Sequence, residues 1–214
     1  GIPAVLAGFA PGRLTDIRLL CLPRFNLSDI RYAGRFGTNL YKNDIGVNLF
    51  YRPADAQTVL GGDLAGEFAA GYWGEGTYTR DDTSSYGKLA AGLDYTFPGM
   101  ICAMAEYFYD QSGENDPGHY DYQKLLTGAR STLGQKYIYL SLALAKGLVL
   151  SPGLNAVCNL DDRTGILVPQ MGYQPWDNVE LNFGTSMPFG LRSGEFRRTA
   201  AYDLMVFLWG KVFF

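Results

Sequence analysis

The chain has 214 residues, and its charged fraction of 18% is low for a soluble domain, whereas Gly (27), Tyr (15) and Phe (13) are abundant. Its net charge of -3 gives no reason to expect nucleic acid as a partner. No apolar run reaches the roughly 18 residues that a transmembrane helix needs. Few charges together with many aromatic residues and glycines are typical of a transmembrane β-barrel.

Apolar and polar residues alternate with a period of two along most of the chain. The clearest segment is 88–97, where the odd positions read Leu, Ala, Leu, Tyr, Phe and the even positions read Lys, Ala, Gly, Asp, Thr. A β-strand places two such sets on opposite faces, whereas a helix scatters both around its circumference. The segments 137–144 and 178–187 repeat the pattern.

Residues that favour turns separate these alternating segments, and they divide the chain into about twelve predicted strands. In chain order the predicted strands are 14–22, 29–37, 44–52, 58–68, 71–80, 86–97, 100–109, 136–146, 153–161, 165–175, 178–188 and 201–214. An even number lets an up-and-down sheet close with both chain ends on one side, and closure pairs every backbone group in lipid. The predicted fold is all-β, a single transmembrane antiparallel up-and-down β-barrel over 1–214, either complete or the C-terminal part of a longer barrel.

A soluble sandwich or lipocalin-like barrel is the alternative, because its strands also alternate. Such a fold points its large apolar side chains inward. Here the second face mixes Asp, Glu, Lys, Gly, Ala, Ser and Asn, a set that is too small and polar for a dry core. The membrane barrel, with apolar residues facing lipid and polar residues facing a lumen, is therefore favoured.

The residues that face this lumen follow from the alternation. They are Arg31, Arg35, Asp63, Glu67, Glu75, Lys88, Asp94, Glu106, Asp161 and Glu180. Acids outnumber bases among the inward charges, so a water-filled lumen would favour cations. Alternatively, the acids and bases pair across strands and hold a closed interior rigid.

The longest predicted connection, 110–135, is the candidate gating loop. It is polar and rich in Gly, Asp and Tyr. Its candidate gating residues are Asp116, His119, Tyr120 and Arg130. The loop either folds inward as a constriction or extends outward to bind a partner, and a short helix is expected over 125–130. A disordered surface loop is the third alternative.

The sequence predicts neither catalysis nor a metal or cofactor. His119 is the one histidine, and the three cysteines lack metal-ligand spacing. A Ser–His site would need His119 beside Ser112 or Ser131, and no G-x-S-x-G or H-E-x-x-H motif occurs.

The last segment ends on Phe214, with Val212 and every second residue before it on one face. This ending resembles the terminal strand of bacterial outer-membrane proteins, which the barrel-assembly machinery recognises. Over 58–190 the chain also resembles uncharacterised porin-like outer-membrane proteins of Gram-negative bacteria. The segments that carry this resemblance are Val59–Gly66, Gly92–Gly99, Ala105–Tyr109, Asn159–Asp162, Leu167–Pro169 and Asn178–Leu181. The cysteines depart from that family.

This resemblance implies a location in the bacterial outer membrane, with lipid as a partner. The predicted function is a porin-like channel for passive diffusion of small hydrophilic solutes or ions. The alternative is a closed structural barrel that anchors or scaffolds a partner assembly. Partner proteins or a homo-oligomer are compatible with both interpretations, whereas nucleic acid is not an expected partner.

Overall fold

The computed structural model of the chain describes residues 3–23, 29–128, 130–144 and 149–213. Their fold is an antiparallel up-and-down sheet in which thirteen strands follow one another in chain order from β1 to β13. The strands are β1 Val5–Gly12, β2 Thr15–Leu22, β3 Arg31–Leu40, β4 Asn43–Arg52, β5 Gln57–Glu67, β6 Gly71–Arg80, β7 Ser85–Phe97, β8 Ile101–Asp110, β9 Lys136–Leu144, β10 Leu150–Asn159, β11 Thr164–Trp176, β12 Val179–Phe189 and β13 Met205–Val212. Two short helices interrupt the connections, α1 Tyr122–Leu126 and α2 Glu195–Thr199.

Each of the twelve predicted strands corresponds to a strand of the sheet, but the predicted number is wrong because β1 was missed. Its sequence, VLAGFAPG, is apolar at every position that is not Gly or Pro, so it carries no period of two. The total is odd, and the argument from an even number of strands therefore does not apply to this chain.

Several boundaries also differ from the prediction, among them those of the last strand and of the short helix. The last strand begins at Met205 rather than at 201, and residues 200–204 between α2 and β13 form no strand. The helix expected over 125–130 lies earlier, at Tyr122–Leu126, where the Asp121 side chain caps it by accepting a hydrogen bond from Gln123 N. Positions 145 and 146 of the predicted eighth strand lie outside the described residues.

Along most of the described part of the chain, short and longer connections alternate. The short connections include 13–14, 41–42, 68–70, 98–100 and 177–178, and the longer ones include 53–56, 81–84, 111–135, 160–163 and 190–204. The predicted loop 38–43 is a two-residue turn, because Tyr41 and Lys42 both adopt positive φ (50° and 66°) and let β3 continue to Leu40.

The chain divides into two compact units. Unit 1 contains residues 1–91 with 110–112, and unit 2 contains residues 92–109 with 113–214. Each unit is described by itself below.

In unit 1 the registers of β3 to β6 place apolar residues on one face and polar residues on the other. Leu49 and Leu60 lie opposite each other on the apolar face, with exposed fractions of 50% and 52%. Arg35 and Asn48 lie opposite each other on the polar face. The predicted alternation is therefore expressed as two distinct faces of one sheet.

Unit 2 repeats this arrangement. Leu142 lies opposite Leu154 on the apolar face, and Ser141 lies opposite Asn155 on the polar face. Leu142 and Phe183 are 47% and 51% exposed. The large apolar side chains of β9 and β12 are thus not gathered in a dry interior, as a soluble barrel would require.

The described part of the chain has almost no apolar core. Only four hydrophobic residues in it are buried, Ala90 in unit 1 and Tyr120, Leu133 and Tyr137 in unit 2. A soluble domain of this size normally buries a large share of its Leu, Ile, Val and Phe side chains. Among the described residues no helix is both long and apolar enough to cross a lipid bilayer.

Candidate functional site

The centre of the polar face in unit 1 is an ion pair that crosses over a strand. Arg35 of β3 donates to Asp63 of β5 through Nη1 (2.7 Å to Oδ1) and Nη2 (2.9 Å to Oδ2). Asn48 of the intervening β4 accepts from Arg35 Nη1 at 3.0 Å and donates to Asp63 Oδ1 at 3.1 Å. The three side chains form one network, so these two predicted lumen residues neutralise each other.

This network requires the absence of a side chain at Gly46. A Cβ atom on Gly46 would overlap the Asp63 carboxylate and the Arg35 guanidinium. The glycine therefore leaves the space through which the two charged groups meet over β4.

Within the described residues, some of the other predicted charges of unit 1 have an ion-pair partner and others have none. Lys88 Nζ lies 2.8 Å from Oδ2 of Asp110, which is buried. Glu75 is exposed and lies opposite Asp63 in the β5–β6 register, whereas Glu67 is exposed at the end of β5. Among the described residues of this polar face, exposed acidic side chains thus outnumber the basic side chains that are not in an ion pair.

Arg31 lies at the other end of β3. It is half-buried and is paired with Leu22 of β2 in the strand register. The structure therefore separates Arg31 from the ion pair of Arg35 and Asp63.

In unit 2 the predicted acids occupy separate positions on the polar face. Asp94 is exposed on β7, and Glu106 of β8 lies opposite Tyr139 of β9. Glu180 of β12 accepts a hydrogen bond from Asn182 Nδ2 at 2.9 Å and lies opposite Lys211. The structure brings none of these three acids together.

A buried cluster covers one end of the polar face of unit 2, and we call it the rim cluster. Its members are Tyr120, Leu133, Tyr137, Asn159, Asp162, Thr164 and Glu195. At its centre, one oxygen of Glu195 accepts from Tyr137 OH (2.5 Å) and Asn159 Nδ2 (2.7 Å), and the other accepts from Leu133 N (3.1 Å). Neutral donors thus hold a carboxylate that is 4% exposed.

A second carboxylate fixes α2 to the sheet. Asp162 accepts from Glu195 N at 2.6 Å and from Thr164 Oγ1 at 2.7 Å. Gly194 is needed next to it, because a Cβ there would collide with Thr164 and Asp162. The ring of Phe196 packs edge-on against Tyr137 at 6.3 Å between centroids.

The predicted gating loop is anchored to this cluster. Tyr120 OH accepts from Asn159 Nδ2 at 3.0 Å, and Glu114 forms a β-bridge with Gly134. Asp161, which was predicted within a strand, lies in the turn between β10 and β11, where it accepts from Gln135 N at 2.6 Å and Lys136 N at 2.9 Å. These contacts attach the loop to the strand ends at the rim cluster, and its action as a constriction stays a prediction.

The four candidate gating residues of the loop have different environments. Asp116 and His119 are exposed, with Asp116 Oδ2 at 2.9 Å from His119 Nδ1. The Gly118 backbone N–H and the His119 ring lower the pKa of Asp116. Burial raises the pKa of Tyr120 well above its usual range. Arg130 N donates to Lys124 O at 3.0 Å.

The predicted assembly signal is described only in part. Val212 of β13 is 54% exposed and pairs with Val179 of β12. Phe214 lies outside the described residues.

Within the described ranges, no group of three His, Cys, Asp or Glu side chains could hold a metal ion. Ser112, one of the serines considered for a Ser–His site, donates its hydroxyl hydrogen bond to Asp110 Oδ1 at 2.6 Å.

Sequence reasoning missed the members of the rim cluster other than Tyr120. Asn159 and Asp162 were visible only as turn residues after a strand, and Glu195 stands in a segment without periodicity. Polar residues at the ends of predicted strands were the available signal in the sequence, but their hydrogen-bond partners lie 36 and 58 residues away along the chain.

No protein-family model matches the chain, and no curated protein or solved structure is significantly similar to it. Function is therefore inferred from the geometry of the residues.

Proposed function

We propose that the chain is a transmembrane β-barrel of a bacterial outer membrane and that it forms a passive channel for small hydrophilic solutes or ions. Its polar faces line the water-filled interior, and its apolar faces contact the acyl chains of the lipid. Lipid and, during biogenesis, the barrel-assembly machinery are its expected partners.

One observation supports this proposal above all others: the described residues bury only four hydrophobic side chains, while large apolar residues stand exposed along the same face of successive strands. Exposing this much apolar surface to water costs about 25 cal/mol for each Å². A lipid environment removes that cost, and the polar opposite face then requires water or its own partners.

In a bilayer the sheet must close, because lipid offers no partners for the backbone groups of an edge strand. Cysteine pairs with one member in β1 and one in β13, introduced after replacement of Cys21, Cys102 and Cys158 by alanine, test this closure. Oxidation in lipid vesicles is expected to cross-link pairs in one register only, and failure of every register argues against a closed barrel of this chain alone.

The channel would select for cations, because acids such as Glu75 and Asp94 are exposed on the polar faces, whereas Arg35 is neutralised by Asp63. Single-channel recording in planar bilayers tests this mechanism. Glu75→Gln and Asp94→Asn are expected to lower the cation-to-anion permeability ratio. Asp82→Asn, in the exposed turn 81–84, is the matched control and is expected to leave that ratio unchanged.

The rim cluster favours a second candidate, the closed structural barrel that anchors or scaffolds a partner assembly. It fills part of the polar face of unit 2 with buried, mutually bonded side chains such as Glu195 and Tyr137. If folded, membrane-inserted protein gives no conductance in planar bilayers, the result supports this candidate. Stepwise conductance supports the channel.

A further inference from the structure

The loop end of the polar face in unit 1 contains a polar pocket that the channel proposal does not use. Its volume is about 530 Å³, and it is lined by Asp29, Arg31, Arg52, Ala54 and Asp55. Ligand pockets for small molecules have volumes of roughly 300–1,000 Å³, so this one is large enough for a small solute.

Two of its four charged side chains neutralise each other. Arg52 Nε donates to Asp55 Oδ1 at 2.5 Å, and Arg52 Nη2 donates to Asp55 Oδ2. The 3₁₀ turn Pro53–Asp55 brings the carboxylate back to the arginine that precedes it. Because this pair is bidentate, it leaves little charge for a ligand.

Arg31 and Asp29 are the remaining charges of the pocket. Within the described part of the chain, neither has an ion pair or a side-chain hydrogen bond, and they do not pair with each other. Arg31 is half-buried, and its side chain has no acceptor among the described residues. A group of this kind gains from an anionic partner, and a planar carboxylate matches its fork of N–H donors.

We propose that this pocket binds a small zwitterion, an α-amino acid or a short peptide, whose carboxylate contacts Arg31 and whose ammonium group contacts Asp29. Since one charge of each sign without a partner among the described residues faces the same cavity, a ligand with both charges satisfies both, whereas a simple anion or cation satisfies one. Ala54 adds a small side chain to the lining and leaves room for the ligand's own side chain. The use of this pocket as an entry site for solutes rests on the channel function proposed above, whereas binding itself does not.

Binding is measured by isothermal titration calorimetry on the full chain refolded in detergent micelles, with three related probes. Glycine carries both charges, N-acetylglycine carries the carboxylate alone, and glycinamide carries the ammonium group alone. Glycine is expected to bind about tenfold more tightly than either analogue, because each charged hydrogen bond is worth about one order of magnitude in affinity.

Two variants and one control assign the contacts. Arg31→Gln and Asp29→Asn are each expected to weaken glycine binding about tenfold. Asp29→Asn should leave N-acetylglycine binding unchanged, and Arg31→Gln should leave glycinamide binding unchanged. Arg18→Gln, a polar-face variant of an exposed arginine already paired with Asp16 at 2.8 Å, is the matched control and should bind glycine like the parent.

Equal affinity for glycine and N-acetylglycine, or no binding of any probe by folded protein, overturns the proposal. If the protein binds glycine but forms no conductance steps, the channel function is wrong and the zwitterion site is supported. If it conducts but does not bind glycine, the zwitterion site is wrong and the channel function is supported. The two proposals therefore fail independently.

Discussion

Arg35 and Asp63 lie on strands that are not neighbours, yet their side chains form a bidentate ion pair, with Nη1–Oδ1 and Nη2–Oδ2 distances of 2.7 Å and 2.9 Å. The pair passes over β4 at Gly46 and is tied to that strand by Asn48. It therefore connects three consecutive strands on their polar face.

A double-mutant cycle with Arg35→Gln and Asp63→Asn is expected to give a coupling free energy of about 1 kcal/mol. This value is at the upper end for partly exposed pairs, because the geometry is bidentate and Asn48 shares the network. The measurement is equilibrium urea unfolding in detergent or lipid. The corresponding cycle with Arg18→Gln and Asp16→Asn, a single contact between more exposed groups, should give a smaller value. Equal coupling energies in the two cycles would contradict the assigned network.

Gly46→Ala is expected to destabilise the folded chain by about 1–3 kcal/mol, since its Cβ would displace both members of the ion pair. Gly62→Ala is the matched control on the next strand, because the nearest atom to its Cβ, the Gly46 carbonyl oxygen, is at 3.7 Å. That substitution should be neutral or stabilising, as alanine restricts the unfolded chain more than glycine does. Urea unfolding compares the two variants, and equal losses would disprove the steric argument.

Leu142→Arg is expected to cost about 2–4 kcal/mol if this position lies near the middle of the bilayer, because the charge would face acyl chains. Gln170→Arg places the same side chain on the polar face of unit 2, where Gln170 is exposed, and should cost less than about 1 kcal/mol. The folded fraction in lipid vesicles, read from heat-modifiable gel mobility and urea titration, checks both. If both variants fold equally well, the assignment of the lipid-facing side is wrong.

Glu195→Ala is expected to release the predicted gating loop from the rim cluster. The substitution leaves Tyr137 OH, Asn159 Nδ2 and Leu133 N without the carboxylate that accepts their hydrogen bonds, at a cost of about 1–3 kcal/mol. Limited proteolysis should then cut within 111–135 faster than in the parent, while the β-strand content by circular dichroism stays unchanged. Glu114→Ala removes an exposed side chain from the same loop and is the control. Unaltered cleavage of Glu195→Ala would show that the cluster does not hold the loop.

The attachment of the loop through Tyr120 should weaken at alkaline pH. Burial raises the pKa of Tyr120 above the ordinary value of 10.0, so the folded loop binds the phenolic proton more tightly than the released loop does. The stabilisation is therefore fully present below about pH 10 and is lost as the pH rises toward the folded pKa. Carbon-13 NMR of ring-labelled tyrosine, with the resonance assigned by Tyr120→Phe, measures this titration. A Tyr120 resonance that titrates at its ordinary pKa would refute the predicted burial.

The sequence was sufficient to predict twelve of the thirteen strands, because the two-residue period is a property of local backbone geometry. Leu89, Leu142 and Phe183 could be assigned to the apolar set without knowledge of any neighbour. The same reasoning failed at β1, where no polar residue alternates with the apolar ones and a local pattern is absent.

The partners of the polar residues were decided by the tertiary structure alone. Arg35 meets Asp63 only because two hairpin registers and a glycine align them, and Glu195 meets Tyr137 only because two long connections fold over the same strand ends. These residues are 28 and 58 positions apart along the chain. The side-chain period of a strand specifies a face but not the partner found across it, and that choice depends on register and loop path, which are set by the packing of the whole sheet.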